Sequence, residues 1–226
     1  YGFGPAEMKP LEDFLLALGI NRFVPHLAHE SLAGIRKYDW PQTLSDHSPW
    51  WDAYGSHALH ISRANYLLSQ GTECNRTLVL HPTTTGWLHY IPSCFHWPGE
   101  APHAPLLKLR DSYAQFLADL YSAQVDFDLG DESVMARLAS VNGQNLAVGN
   151  RSYATVVVPA GMENLLDSTV RLLEKFLAGG GVVFCAGAAP SFVNGRLSTP
   201  FLPDFSGLMN VGGHLIGHLR KRHQPR

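Results

Sequence analysis

The chain has 226 residues, a formal net charge of −2, 45% hydrophobic residues and 16% charged residues. This composition is typical of a globular protein with enough apolar side chains for a core, and the small net charge gives no electrostatic reason to expect nucleic acid as a partner. No run of about 18 apolar residues is present, so we expect no membrane-spanning helix.

The first predicted elements are a helix over residues 8–18, a strand over Ile20–Val24 and a helix over residues 50–70. Apolar side chains of the first helix lie three and four positions apart, at Leu11, Phe14, Leu15 and Leu18. Helix, strand, long loop and helix in this order are typical of the closing part of a (β/α)8-type barrel, which needs about 250 residues in full. We therefore expect residues 1–72 to be the C-terminal part of a barrel whose other strands lie upstream of Tyr1.

The loop after the predicted strand Ile20–Val24 is rich in groups that bind polar ligands. In chain order they are His26, His29, Glu30, Arg36, Asp39, Trp50 and Trp51. Barrel enzymes build their active sites beyond the C-terminal ends of their strands. Carboxylates and imidazoles among tryptophans suit carbohydrate, because a sugar offers hydroxyls to the former and C–H faces to the latter. We therefore predict that Glu30 is catalytic and that the other six residues bind the substrate.

Other interpretations of these residues stay open. Glu30 is also compatible with a surface carboxylate paired with Arg36 or Lys37. His26 and His29 have HxxH spacing, which is found in some zinc sites, but neither HExxH nor HxxEH is present and a third ligand is not identifiable. The metal is therefore unknown. Large aromatics are as often core residues, so we expect one of the two tryptophans at 50–51 to face the pocket and the other to face the core.

From residue 73 onward, strand patterns alternate with amphipathic helices. Strands are predicted at residues 76–80, 154–158 and 182–185, and helices at residues 106–122, 131–139 and 165–177. This alternation predicts a parallel sheet with helices on both faces. We expect residues 73–192 to form a flavodoxin-like or Rossmann-like α/β domain. Residues 193–226 are expected to be a loop-rich tail or the start of a further domain.

Several segments resemble glycoside hydrolase family 106, the α-L-rhamnosidases and their relatives. They are GINRFVPHLAHESLAGIRKYDWP at residues 19–41, SPWW at 48–51, R-x-x-Y-x-L-S-x-G at 63–71 and LVLHP at 78–82. Further along, YATVVVPAG and LLEKFLAGGGVVFCAG are similar to the amidotransferase-like domain that follows the barrel in several β-galactosidase and rhamnosidase families. The resemblance implies a multidomain glycosidase that acts on plant or bacterial polysaccharide.

The resemblance also implies two catalytic glutamates, inversion of configuration and a calcium ion near the bound sugar. Glu30 is the glutamate that lies in a matching segment, so we expect the second catalytic carboxylate upstream of Tyr1. Glu30 and Asp39 carry the hard oxygen donors that calcium prefers. Calcium is therefore a cofactor expected from the resemblance alone.

We predict a glycoside hydrolase that cleaves a terminal deoxysugar from a polysaccharide or glycoside by acid/base catalysis, with the 226 residues inactive alone. One alternative is a non-catalytic flavodoxin-like module for domain or subunit contacts, through which an oligomer would form. A third option is an amidotransferase-like hydrolase that uses Cys185, although the glycine expected before such a nucleophile is missing. We expect Cys185 to be a buried apolar cysteine.

Overall fold

The computed structural model describes residues 3–26, 28–38, 44–71, 73–91, 103–198, 208–210, 216–217 and 219–220. Contacts within the chain divide it into two compact units, Tyr1–Glu73 and Cys74–Arg226, which we name the helical unit and the α/β unit. The predicted identities of residues 1–72, 73–192 and 193–226 stay predictions. In the part of the chain that the structure describes, no helix is long and apolar enough to cross a membrane.

The helical unit contains α1 (Pro5–Ala17), a 3₁₀ helix (Gly34–Tyr38) and α2 (Trp51–Leu68). The end of α1 follows from its sequence, because Gly19 has a φ of +89°, a left-handed conformation that glycine adopts at little cost. In a Schellman arrangement, the N–H of Gly19 donates to the carbonyl of Leu16 at 3.0 Å and that of Ile20 donates to the carbonyl of Leu15 at 3.1 Å.

The strand predicted over Ile20–Val24 is wrong. Residues 20–26 have no regular secondary structure, and the described part of the helical unit contains no strand. An isolated apolar run becomes a strand only where a neighbour takes its backbone N–H and C=O groups, and no described segment of this unit does so. The side chains of Ile20 and Val24 are accordingly 42% and 84% exposed. The barrel end that rested on this strand is not shown by the structure.

The α/β unit contains eleven short strands and four fully described helices, and its described residues 216–217 and 219–220 are also helical. The strands are β1 (Thr77–Leu80), β2 (Asp128–Gly130), β3 (Ala139–Asn142), β4 (Asn145–Val148), β5 (Arg151–Tyr153), β6 (Thr155–Val158), β7 (Asn164–Leu165), β8 (Val182–Cys185), β9 (Phe192–Val193), β10 (Arg196–Leu197) and β11 (Leu208–Asn210). The helices are α3 (Thr83–Leu88), α4 (Ala104–Ser122), α5 (Glu132–Leu138) and α6 (Asp167–Ala178).

The main sheet has five strands in the order β11-β8-β6-β1-β2, and every neighbouring pair is parallel. Numbered by their position along the chain, these strands lie in the order 2-1-3-4-5, which is that of flavodoxin-like sheets. The predicted α/β character is therefore confirmed as a parallel sheet compatible with a flavodoxin-like or Rossmann-like domain.

The core lies on both faces of this sheet because successive strand residues point to opposite sides. One face carries Leu78, Leu80, Val156 and Val158, which pack with the buried Leu173 and Phe176 of α6. The other face carries Val79, Val157 and Phe184, which pack with Tyr113 and Leu120 of α4. The apolar runs of β1, β6 and β8 are thus the buried central strands that the sequence predicts.

Two small sheets accompany the main one. Strands β3, β4 and β5 form an antiparallel meander, while β7, β9 and β10 form a second three-stranded sheet. The two meander turns begin at Gly143 and Gly149, with φ values of +57° and +59° that suit glycine. The side chains of Arg151 and Tyr153 donate to Asp128 Oδ2 at 3.1 and 2.7 Å, which ties β5 to β2.

Candidate functional site

Two histidine–carboxylate pairs join α1 to α2 in the helical unit. His57 Nε2 lies 2.8 Å from Glu12 Oε2, and His60 Nε2 lies 2.9 Å from Asp13 Oδ1. Lys9 also pairs with Asp13 one helical turn away. Hydrogen bonds from His60 and Lys9 hold the pKa of the Asp13 carboxyl below its ordinary value. These polar contacts lie between α1 and α2, and of the two histidines His60 makes the hydrogen bond.

The tryptophans at 50–51 form an aromatic cluster at the start of α2. The ring of Trp51 stacks on Tyr54 with centroids 5.2 Å apart and planes 12° apart, and Trp50 contacts the same ring at 5.8 Å in a tilted arrangement. A Cβ atom on Gly4 would lie 3.2 Å from Trp50 Cδ1, so glycine allows the start of α1 to approach this ring. Trp51 remains 37% exposed. The ring of Trp50 is therefore packed, and the ring of Trp51 is partly open to solvent.

An open pocket of about 550 Å³ lies beside Glu30. Its described lining is formed by Ala28, His29, Glu30, Ser31, Ala33 and Arg36. The side chain of Ser31 accepts a hydrogen bond from the N–H of Ala33 at 3.1 Å, which closes a local turn. Gly34 follows with a φ of +63° and starts the 3₁₀ helix. This turn brings Arg36 to the same pocket as Glu30.

The pocket includes part of the predicted site. His29, Glu30 and Arg36 line it together, with His29 buried at 7% exposure and Glu30 exposed. His26 is exposed and is not among the described lining residues, and the tryptophans at 50–51 lie in the aromatic cluster. Asp39 falls outside the described residues. The catalytic and substrate-binding roles of all seven residues stay predictions.

The chemistry of the pocket is that of one carboxylate beside cationic and hydroxyl groups. Glu30 is the carboxylate among the described lining residues, and Arg36 supplies a permanent positive charge. Glycoside hydrolysis by acid/base catalysis normally needs two carboxyl groups, and the described lining of this pocket contains one.

Calcium takes about six to eight oxygen ligands, and the described lining of the Glu30 pocket does not fit it. Among the described residues, no group of three or more His, Cys, Asp or Glu side chains could hold a metal ion. We assign no step to calcium.

Cys185 confirms the prediction of a buried apolar cysteine. It ends β8, is 3% exposed and packs among the aliphatic residues between the main sheet and α6. Burial raises the pKa of its thiol to about 11, so the nucleophilic thiolate is scarce at neutral pH. The structure therefore gives the amidotransferase-like option no activated nucleophile at this position.

Sequence reasoning missed a buried polar network that fixes α3. The carboxylate of Glu132, 2% exposed, accepts hydrogen bonds of 2.6 Å from Thr84 Oγ1 and from the N–H of Leu166. Thr85 Oγ1 accepts the N–H groups of residues 163–164, each at 3.0 Å. The available signal was the run of three threonines at 83–85, separated from the end of β1 by two residues, where buried hydroxyls must find partners.

Comparison with protein-family models found no family that matches the chain, and comparison with curated proteins found no match either. Among solved structures, the chain is similar to the rhamnosidase from Novosphingobium sp. PP1Y, with a TM-score of 0.55 and 18% sequence identity. The similar region covers 85% of this chain and 16% of the rhamnosidase chain. At this identity the likeness shows a shared fold alone.

Proposed function

We propose that this chain belongs to a glycoside hydrolase of the α-L-rhamnosidase type. The observation that carries the proposal is the fold likeness to a solved rhamnosidase, which spans 85% of the chain. The segment at residues 19–41, which is part of the resemblance to family 106, also contains Glu30 and the described lining of its pocket. Because the chain covers 16% of that rhamnosidase, the activity is proposed for the protein in which the chain acts, not for these residues alone.

Glu30 acts in this proposal as one of the two carboxyl groups of the reaction. As a carboxylic acid it protonates the leaving oxygen, or as a carboxylate it activates the attacking water. The second carboxyl group stands across the sugar, about 6.5–9.5 Å away in an inverting enzyme, which leaves room for water. His29 and Arg36, which line the same pocket, donate hydrogen bonds to sugar hydroxyls.

The substitution Glu30→Gln tests this role, since it keeps the volume of the side chain and removes its ionisable group. Assayed with an aryl α-L-rhamnoside on the protein that carries this chain at its natural length, the variant should lose about 10²-fold or more in kcat. A binding role would change mainly KM. Glu174→Gln on the exposed side of α6 is the matched control and should leave both constants unchanged.

Parental kcat and KM in Glu30→Gln would show that Glu30 is a surface residue and that the pocket is not the reaction site. Absence of rhamnoside turnover in the parent protein would remove the proposed function itself. That outcome would favour the alternative, in which the α/β unit is a non-catalytic module for domain or subunit contacts. The burial of Cys185 agrees with that alternative as well as with the main proposal.

A further inference from the structure

The chain contains two Asn-Gly dipeptides, and both lie at hairpin turns of the α/β unit. Asn142–Gly143 lies at the turn between β3 and β4, and Asn194–Gly195 lies at the turn between β9 and β10. An asparagine side chain reacts most readily with the backbone nitrogen that follows it when the next residue is glycine, because glycine has no Cβ to crowd that nitrogen. The surroundings of each turn therefore decide which of the two asparagines is chemically stable.

The Asn194–Gly195 turn is restrained at the two groups that would have to react. Its residues have φ values of +51° and +74°, as in a type I′ turn. The side-chain oxygen of Asn194 accepts the N–H of Asp167 at 3.1 Å. The N–H of Gly195 donates to Oδ1 of the buried Asn164 at 2.8 Å. Both the amide group and the nitrogen that would attack it are thus held in place by neighbouring segments.

The Asn142–Gly143 turn lacks these restraints. Asn142 pairs with Asn145 at the end of the β3–β4 ladder, and its side chain is exposed. Within the described residues, neither the side chain of Asn142 nor the N–H of Gly143 makes a hydrogen bond. The last pair of a ladder opens at low cost, so the two groups can approach each other without unfolding of the main sheet.

We propose that Asn142 is a site of spontaneous deamidation and that its conversion to isoaspartate loosens the β3–β4 turn. The backbone nitrogen of Gly143 gives its proton to solvent and attacks the side-chain carbonyl carbon of Asn142. The bond from this carbon to the amide nitrogen breaks, and the nitrogen takes up a proton and leaves as ammonia. Water then opens the resulting succinimide ring at either carbonyl, which yields aspartate or isoaspartate. This site goes beyond the proposed function, because it lies in the α/β unit and does not involve Glu30.

The structural consequence follows from the length of the turn. Isoaspartate adds one carbon atom to the main chain, and the register of a two-residue hairpin depends on its loop length. The backbone oxygen of Gly143 also lies close to the end of α6, where a Cβ atom on Gly179 would be 2.2 Å away from it. A displaced turn therefore disturbs both the meander and its contact with α6, and the modified protein should unfold more readily.

The test incubates the folded 226-residue protein in mildly alkaline H₂¹⁸O and follows the peptides that carry Asn142 and Asn194 by mass spectrometry. Asn142 should become aspartate and isoaspartate, each with one ¹⁸O atom in the new carboxyl group. Asn194 should react about tenfold or more slowly, because its two restraining hydrogen bonds must open first. The rate at Asn142 should rise with pH, since the attacking nitrogen must lose its proton.

Two controls separate the effect of the fold from that of the local sequence. In guanidinium chloride the two asparagines should react at similar rates, because the restraints on Asn194 exist only in the folded protein. Asn142→Gln keeps the amide but forms the corresponding ring much more slowly. After the same incubation, this variant should retain its thermal unfolding curve by circular dichroism, whereas the parent should unfold at a lower temperature.

Equal rates at Asn142 and Asn194 in the folded protein would overturn the proposal. So would an Asn142 that stays intact in the folded protein over a time in which it reacts in guanidinium chloride. An unchanged unfolding curve, in a parent sample that is mostly isoaspartate at residue 142, would overturn the second part of the proposal. None of these measurements uses rhamnoside turnover, so their failure is distinguishable from failure of the proposed function.

Discussion

The effect of burial is clearest at Cys185, where it decides the reactivity of a single thiol. Its pKa of about 11 should make native alkylation by iodoacetamide slow, because the thiolate fraction at pH 8 is roughly a hundredfold or more below that of an ordinary cysteine. Cys74 is exposed and serves as the internal control. Peptide mapping by mass spectrometry should show early labelling at Cys74 and late labelling at Cys185.

The raised pKa of Cys185 also makes the free energy of unfolding depend on pH. The unfolded state releases the thiol proton near its ordinary pKa of 9.0, while the folded state holds it up to about 11, so the free energy of unfolding should fall as the pH rises through this range. Cys185→Ala should reduce that fall. Rapid stoichiometric labelling of Cys185 in the native protein would contradict the burial and would restore the amidotransferase-like option.

Residue types alone predicted the Glu30 pocket only in part. A polar loop dense in His, Glu and Arg is a recognisable pattern, and the structure brings His29, Glu30 and Arg36 to one pocket. In the separate aromatic cluster at 50–51, the stacking of Trp51 on Tyr54 is a local contact of one helix. The approach of Gly4 to the ring of Trp50 could not be foreseen, because Gly4 lies at the start of another helix. Partners that distant in sequence leave no mark on local composition.

Single elements show how the same substitution can have opposite effects. A Cβ atom on Gly179, after α6, would lie 2.2 Å from the backbone oxygen of Gly143 in the β3–β4 turn. Neither backbone can move cheaply, so Gly179→Ala should lower the free energy of unfolding by about 1–3 kcal/mol. Gly55 in α2 has no atom within 4 Å of the added Cβ, so Gly55→Ala should stabilise the helix by about 0.5–1 kcal/mol.

Urea unfolding followed by circular dichroism measures both glycine variants against the parent. A neutral result for Gly179→Ala would show that the β3–β4 turn shifts freely away from the end of α6. A loss of stability in Gly55→Ala would show that the surface of α2 near this residue is covered in solution. Gly179 lies in the α/β unit and Gly55 in the helical unit, so the result for one variant does not predict the result for the other.

The sequence predicts best those helices and strands whose hydrophobic pattern is local to the element. Helix α4 and strand β8 were predicted within two residues of their bounds, because a 3.6-residue apolar stripe and a buried β-branched run are local patterns. The meander β3–β5 was missed because its strands are short and half polar, although Gly143 and Gly149 both mark two-residue turns. The false strand at Ile20–Val24 had the right composition and no described partner.

At the scale of the whole molecule, the two units differ in how they bury apolar surface. The α/β unit encloses side chains such as Leu173 and Phe176 completely, both at 0% exposure. The helical unit leaves large apolar groups in solvent, with Phe14 58% and Leu67 72% exposed. Exposed apolar area of this kind is associated with interaction surfaces and with aggregation. The units should therefore behave differently when separated.

Cutting the chain between residues 73 and 74 tests this difference. The piece Cys74–Arg226 should unfold cooperatively as a monomer, and Phe176→Ala should lower its free energy of unfolding by about 3–5 kcal/mol, because the cavity forms in a closed core. The piece Tyr1–Glu73 should self-associate, since nothing within its described residues covers Phe14 and Leu67. Sedimentation velocity and circular-dichroism melts measure both properties. If the piece Tyr1–Glu73 is monodisperse and melts cooperatively, α1 and α2 suffice as a core. If the piece Cys74–Arg226 unfolds without cooperativity, the parallel sheet depends on the helical unit for its stability.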